Sequence, residues 1–104
     1  MSTSRLLQIQ EMLVKEPKDS FLNYALALEH LTLNDIPKAI SIIAELLQRD
    51  ENYLGAYYQL GKLYEETQEV NLAEEIYKKG MVVAQLQKNQ KTFRELNEAL
   101  SLIC

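Results

Sequence analysis

The sequence predicts an all-α fold of antiparallel helix pairs that repeat, and three observations carry that expectation. Glycine and proline are scarce, three and two among 104 residues, which argues against the many turns of a chain of short strands. Ala, Leu, Glu, Gln and Lys dominate instead, and these are good helix formers. The chain also overlays on itself after a shift of 34 residues: Tyr24 falls on Tyr58, Leu26 on Leu60, Ala27 on Gly61, Ala39 on Ala73 and Ile42 on Ile76. Ile43 meets Tyr77 and His30 meets Tyr64. Self-similarity at this spacing marks a repeat architecture rather than a plain bundle.

Residues 5–15 place Leu6, Ile9 and Leu13 at spacings of three and four, with Met12 alongside, as one stripe of a short helix. Ser2, Thr3 and Ser4 are its candidate N-caps, and Pro17 closes the segment by disfavouring helical geometry at Glu16. A second helix is expected over 19–33, capped by Asp19 or Ser20. Phe21, Leu22, Tyr24, Ala25, Leu26, Ala27, Leu28, Leu31 and Leu33 cover nearly its whole circumference, so burial on more than one side is expected. Asn34 and Asp35 make a turn, and Pro37 suits the first turn of a third helix, where its missing N–H costs nothing. Ala39, Ile40, Ile42, Ile43, Leu46 and Leu47 give that helix a wide apolar face.

The chain breaks again at Asp50, Glu51 and Asn52, with Asn52 as the expected cap of a fourth helix over about 53–67. Gln68 to Val70 form the next turn. Asn71, with Glu74 three residues on, is the expected cap of a fifth helix carrying Leu72, Ala73, Ile76, Tyr77, Met81 and Ala84. Asn89 is its candidate left-handed C-terminal cap. Thr92-Phe93-Arg94-Glu95 matches a capping box for a last helix with Phe93, Leu96, Leu100 and Ile103 in one stripe and Ala99 beside it.

One stretch organises the rest. Tyr57 is followed after two residues by Leu60-Gly61, after two more by Tyr64, and then by Ala73 and, four residues on, Tyr77. This pattern resembles the tetratricopeptide repeat signature. Its physical sense is a close crossing of two helices. Gly61 and Ala73 let the backbones approach, and Tyr57, Tyr64 and Tyr77 are suited to fill the space around them. The resemblance covers 20–87 and, in part, 5–18: the 34-residue shift carries Ile43 back to Ile9, Leu46 to Met12 and Glu51 to Pro17. It departs where Glu51 and Gln85 replace the family's proline, where Asn23 replaces a large aromatic, and where Gly80 replaces a usual Ala. The resemblance implies a single domain over 1–104, a right-handed superhelix of about six helices. Its parts are a half-repeat helix over 5–16, one repeat over 20–53, a second over 54–87, and a capping helix over 91–103.

Function is constrained less tightly. A formal charge of −4 argues against a nucleic-acid partner, because phosphate binding needs a basic surface. The N-terminal apolar residues are interrupted by Gln8, Gln10 and Glu11, no apolar run is long enough to span a bilayer, and the lone Cys104 fits a reducing compartment. A cytoplasmic protein with no membrane association is therefore expected. His30 and Cys104 are single examples of their types, with no nucleophile or ligand cluster around them, so neither an enzyme nor a metal or cofactor is expected. Glu65 and Glu69, one turn apart, are too few ligands for a cation. Glu45 and Arg49, Glu74 and Lys78, and Glu75 and Lys79 are acid-first pairs that support helices.

The family resemblance implies binding of a peptide or protein segment in a concave groove lined by the first helix of each pair. The matching positions are Phe21, Tyr24, Leu28 and Leu31 in one helix, and Gly55, Tyr58, Lys62 and Glu65 in the other. Tyr24 and Leu28 stand where one subset of the family carries Lys and Asn to grip a chaperone's terminal carboxylate, so that clamp is not expected. Two alternatives stay open: the apolar groove is covered by the chain's own terminal helices, or the groove or the end helix forms a homodimer interface. Lys88, Lys91 and Arg94 form a basic run suited equally to an acidic partner or to a solvated loop.

Overall fold

The computed structural model describes residues 2–104, with side chains from residue 4 onward. Six helices account for most of the described residues: α1 (Ser2–Lys15), α2 (Ser20–Thr32), α3 (Ile36–Arg49), α4 (Gly55–Glu66), α5 (Val70–Leu86) and α6 (Gln90–Ile103). They divide into two compact units, one ending at Asp50 and the other beginning at Glu51. No helix among the described residues is long and apolar enough to cross a membrane.

In the first unit α2 packs against both α1 and α3. Ala27 on α2 and Ala39, Ile43, Leu46 and Leu47 on α3 are buried. Ala27 and Ala39 are small enough to let the two backbones come close, while Ile43 and Leu46 fill the remaining space. Asp19 caps α2 by accepting the Leu22 N–H at 2.8 Å, and the Ser20 hydroxyl donates to Asp50 at 2.6 Å. The amide of Asn23 donates to the carbonyls of Pro17 and Asp19, which fixes the chain's entry into α2. Among the described side chains of α1, Ile9 alone is fully buried.

In the second unit α5 packs against both α4 and α6. Tyr77, with no exposed surface, lies across Gly61: a Cβ there would sit 2.6 Å from Tyr77 Cζ. A second close approach occurs at Gly80, where a Cβ would meet Tyr57 Cβ at 2.7 Å and Leu96 Cδ1 at 2.9 Å. Glycine is required at both places by contact distance alone. The Tyr57 hydroxyl is satisfied by the Glu51 carbonyl at 2.6 Å.

Three of the corners share one construction. Asn34, Gln68 and Lys88 adopt left-handed φ values of 65°, 62° and 58°. The next residue then turns its N–H back across the helix end: Asp35 to His30 O, Glu69 to Tyr64 O and Asn89 to Ala84 O, at 2.8, 2.8 and 2.9 Å. These are Schellman motifs without glycine. Each connection is two residues long beyond the C-cap, and its second residue is the N-cap of the following helix.

That economy corrects several expected caps. Asn89 takes the N-cap of α6, accepting the Thr92 N–H at 3.0 Å, and Lys88 occupies the left-handed position that Asn89 was expected to hold. Thr92 lies inside α6 and starts no capping box. Asn71 lies within the first turn of α5, which Glu69 precedes without a side-chain cap. Asn52 does not cap α4. That helix begins at Gly55 after a tight turn in which Ala56 and Tyr57 donate to the Tyr53 and Leu54 carbonyls, while the Asn52 carbonyl accepts the Gln87 amide at 2.7 Å. Ser4 lies within α1 rather than before it. Finally, α2 buries only Ala27 and Glu29 completely and leaves Phe21, Leu28 and Leu33 exposed. Its all-round apolar character does not translate into all-round burial.

Candidate functional site

The helix faces expected to bind a partner lie on α2 in the first unit and on α4 in the second, and the two differ in kind. On α2, Phe21 is 68% exposed and Leu28 is exposed, while Tyr24 and Leu31 are half-buried. Asp19 starts the helix two residues before Phe21, so that ring projects from its first turn. Phe21 also lines a shallow pocket of about 380 Å³ with Leu22, Ala25 and the α1 residues Arg5, Ile9 and Met12. The face is apolar and open.

On α4 the equivalent face is a polar network. Lys62 Nζ stands 5.5 Å from the centre of the exposed Tyr58 ring, a cation–π distance. The same ammonium lies 3.9 Å from Glu65 Oε2. Glu65 Oε2 also accepts the Tyr77 hydroxyl, which reaches it from beneath. The Tyr58 and Tyr77 rings are tilted by 45° with centroids 6.3 Å apart. Gly55, exposed at the start of the helix, has no atom within 4 Å of where a Cβ would be. Its face is unobstructed.

Burial first, and then the hydrogen bond to Glu65, push the Tyr77 phenol well above its ordinary value. It therefore stays a neutral donor, and Glu65 stays committed to it. Tyr64 is also raised, chiefly by burial and then by the nearby Glu69 charge. Of these α4 residues Tyr58 is exposed and Lys62 half-buried, and Glu65 links Lys62 to Tyr77.

Two functional-looking features were not anticipated. The first is the link from Tyr77 through Glu65 to Lys62. A signal for it exists in the 34-residue overlay, where Glu65 falls on Leu31 and Tyr77 on Ile43, so the acid and the hydroxyl change together. The second is Glu29, buried at 8% exposure, whose Oε1 pairs with Arg5 Nε at 2.9 Å. Its Oε2 has no hydrogen-bond partner among the described residues. The overlay places Glu29 on the buried Leu63, and an acid at a leucine position is the signal that finds it. His30 is half-buried in the last turn of α2, and Cys104 is exposed. Of the acid-first pairs, Glu74 and Lys78 close at 2.9 Å, which holds the Glu74 carboxyl below its usual range and the Lys78 ammonium above its own.

Comparison with solved structures now places the chain. It is 39% identical to a tetratricopeptide repeat domain protein from Salinibacter ruber, whose solution structure matches with a TM-score of 0.80 over 84% of this chain and 88% of the other. A crystal structure of a tetratricopeptide repeat domain protein from the same organism matches at the same identity, with a TM-score of 0.77 over 82% and 94%. The TPR2B domain of yeast Sti1, in its complex with pHsp70, matches with a TM-score of 0.87 over 98% of this chain and 82% of that one, at 19% identity. No family model matches the sequence, and no curated protein matches it. The chain belongs to the tetratricopeptide repeat family.

Proposed function

We propose that the protein is an interaction module that binds a peptide or protein segment on the exposed faces of α2 and α4, the first helices of its two pairs. The observation that carries this reading is the exposed Phe21–Leu28 face of α2 in a chain of this family. Apolar surface of this kind gains about 25 cal/mol for each Å² that a partner covers. Phe21, Tyr24, Leu28 and Leu31 supply the apolar anchor. Tyr58 and Lys62 supply an aromatic and a cationic contact, with Glu65 positioning Lys62. The yeast Sti1 domain, found in a complex with pHsp70, offers a precedent for this fold holding a partner. The carboxylate clamp is not part of the proposal, because Tyr24 and Leu28 stand at its positions. Catalysis, cofactors and metals are not part of it either.

The test is a pulldown with wild type beside the Tyr24→Ala/Leu28→Ala double variant. The expected result is loss of a partner that wild type retains, with helix content unchanged by circular dichroism. Capture that is the same for both proteins removes these residues from the site.

A second reading is self-association, favoured by Leu7 and Val14, which are both exposed and lie two turns apart on one face of α1. Light scattering across protein concentrations separates the two. A monomer throughout rejects self-association, and a constant dimer that hides Phe21 rejects partner capture.

A further inference from the structure

The corner between α5 and α6 opens onto a pocket of about 620 Å³, within the range of ordinary ligand sites. Ala84 and the half-buried Phe93 give it apolar walls, and Gln85 and Gln90 add amides. Its two charged lining residues, Lys88 and Arg94, are both cations. This is a local inversion of sign on a chain whose formal charge is −4. Among the described residues neither Lys88 nor Arg94 takes part in an ion pair, whereas Lys62, Lys78 and Arg5 each have an acidic partner.

The corner is also rigidly built. Lys88 is held in the left-handed conformation by the Asn89 N–H to Ala84 O bond and by its own N–H to Gln85 O. Asn89 caps α6, and Gln87 is tied to the Asn52 carbonyl. Lys88 in this fixed turn and Arg94 on α6 are thus unpaired cations on ordered backbone beside an aromatic ring, so meeting an anion orders their side chains but not the chain that carries them.

We propose that this corner is a second binding site, which takes an acidic segment of a protein partner. The segment's carboxylates are met by Lys88 and Arg94, and one of its apolar side chains rests on Phe93. A nucleic acid fits less well. Two cations neutralise few phosphates, and the chain's net negative charge opposes a long polyanion. The site uses no residue of the α2 or α4 faces and stands or falls independently of them.

The probe is a short fluorescent peptide rich in Asp and Glu around a central Leu-Phe pair, titrated by anisotropy, with amide shifts followed by NMR. Arg94→Glu and Lys88→Gln should each weaken binding about fivefold or more, and shifts should centre on Ala84, Gln85 and Phe93. Lys91→Glu, the same charge change as Arg94→Glu at an exposed residue outside the pocket lining, should weaken it less than about twofold. The Tyr24→Ala/Leu28→Ala variant should bind the peptide like wild type. Several results overturn the proposal: no binding by wild type, equal losses for Lys91→Glu and Arg94→Glu, or shifts centred elsewhere. Tighter binding of a single-stranded oligonucleotide or an anionic vesicle at the same corner overturns it as well.

Discussion

The two units build the same helix crossing with different distributions of bulk. In the first, α2 contributes Ala27 and α3 contributes Ile43; in the second, the equivalent residues are Gly61 and Tyr77. One side loses a methyl where the other gains a phenol. A second exchange runs the other way: Asn23 and Leu46 in the first unit correspond to Tyr57 and Gly80, which touch in the second. Volume at a crossing is therefore a property of a pair of positions, not of either residue alone. The Tyr77 hydroxyl adds a further condition, because a buried donor requires an acceptor. Glu65 supplies it, and at the matching sequence position the first unit has Leu31.

The largest effect comes from breaking the second unit's version of the crossing. Gly61→Leu should cost about 3 kcal/mol in chemical denaturation, because its side chain collides with the anchored Tyr77 ring. Moving the first unit's set across, as Gly61→Ala with Tyr77→Ile and Glu65→Leu, should bring stability back to within about 1.5 kcal/mol of wild type. A triple variant as unstable as Gly61→Leu would show that the two crossings are not interchangeable.

The phenol sharpens the contrast through pH. The folded chain keeps the Tyr77 proton because burial and Glu65 raise its affinity. Below about pH 10 the phenol is neutral in both states, so its stabilising contribution is fully present. Above that, the unfolded chain releases the proton while the folded one holds it, and stability falls as pH rises. Melting temperatures scanned from pH 8 to 11 should decline more steeply for wild type than for Tyr77→Phe.

Glu29→Leu gives the first unit the leucine that the second has at position 63. It removes a buried carboxylate with one unpartnered oxygen, along with a pair whose other member, Arg5, is mostly exposed. The expected change is a gain of about 1 kcal/mol. A loss of similar size would mean that the Arg5–Glu29 pair contributes more than the carboxylate's desolvation costs. The smallest effect is at the corners. Gln68→Gly should stabilise by up to about 1 kcal/mol, because glycine adopts the left-handed conformation without strain.

The helices and their repetition were legible because apolar spacing and small crossing residues leave a strong periodic mark. Gly61, Ala73 and Tyr77 foretold the second crossing before any coordinates. Asp19 was legible as a cap, but the later caps were not, and the reason is specific. Asn52, Asn71 and Thr92 have the right chemistry for a cap, but the chain turns at Gln68 and Lys88, whose side chains carry no turn preference. There the backbone closes the helix ends by itself. The exposure of α2 was hidden for another reason: a run of apolar residues records which side chains can be buried, not which face a neighbour covers. Of the candidate site, the positions on α2 and α4 were readable from register, whereas the tie between Glu65 and Tyr77 needed the fold to bring residues twelve apart into contact.

The shallow seating of α1 carries a consequence for the order in which the molecule comes apart. Among the described side chains of α1 Ile9 alone is deeply held, and Arg5 clasps Glu29 from the solvent side, so α1 is expected to open at a fraction of the free energy of global unfolding. Amide protons of α1 are then exchanged for deuterium well before those of α3 or α5. Each such excursion would let water reach the Glu29 carboxylate and bare the apolar surface that α1 shares with Phe21.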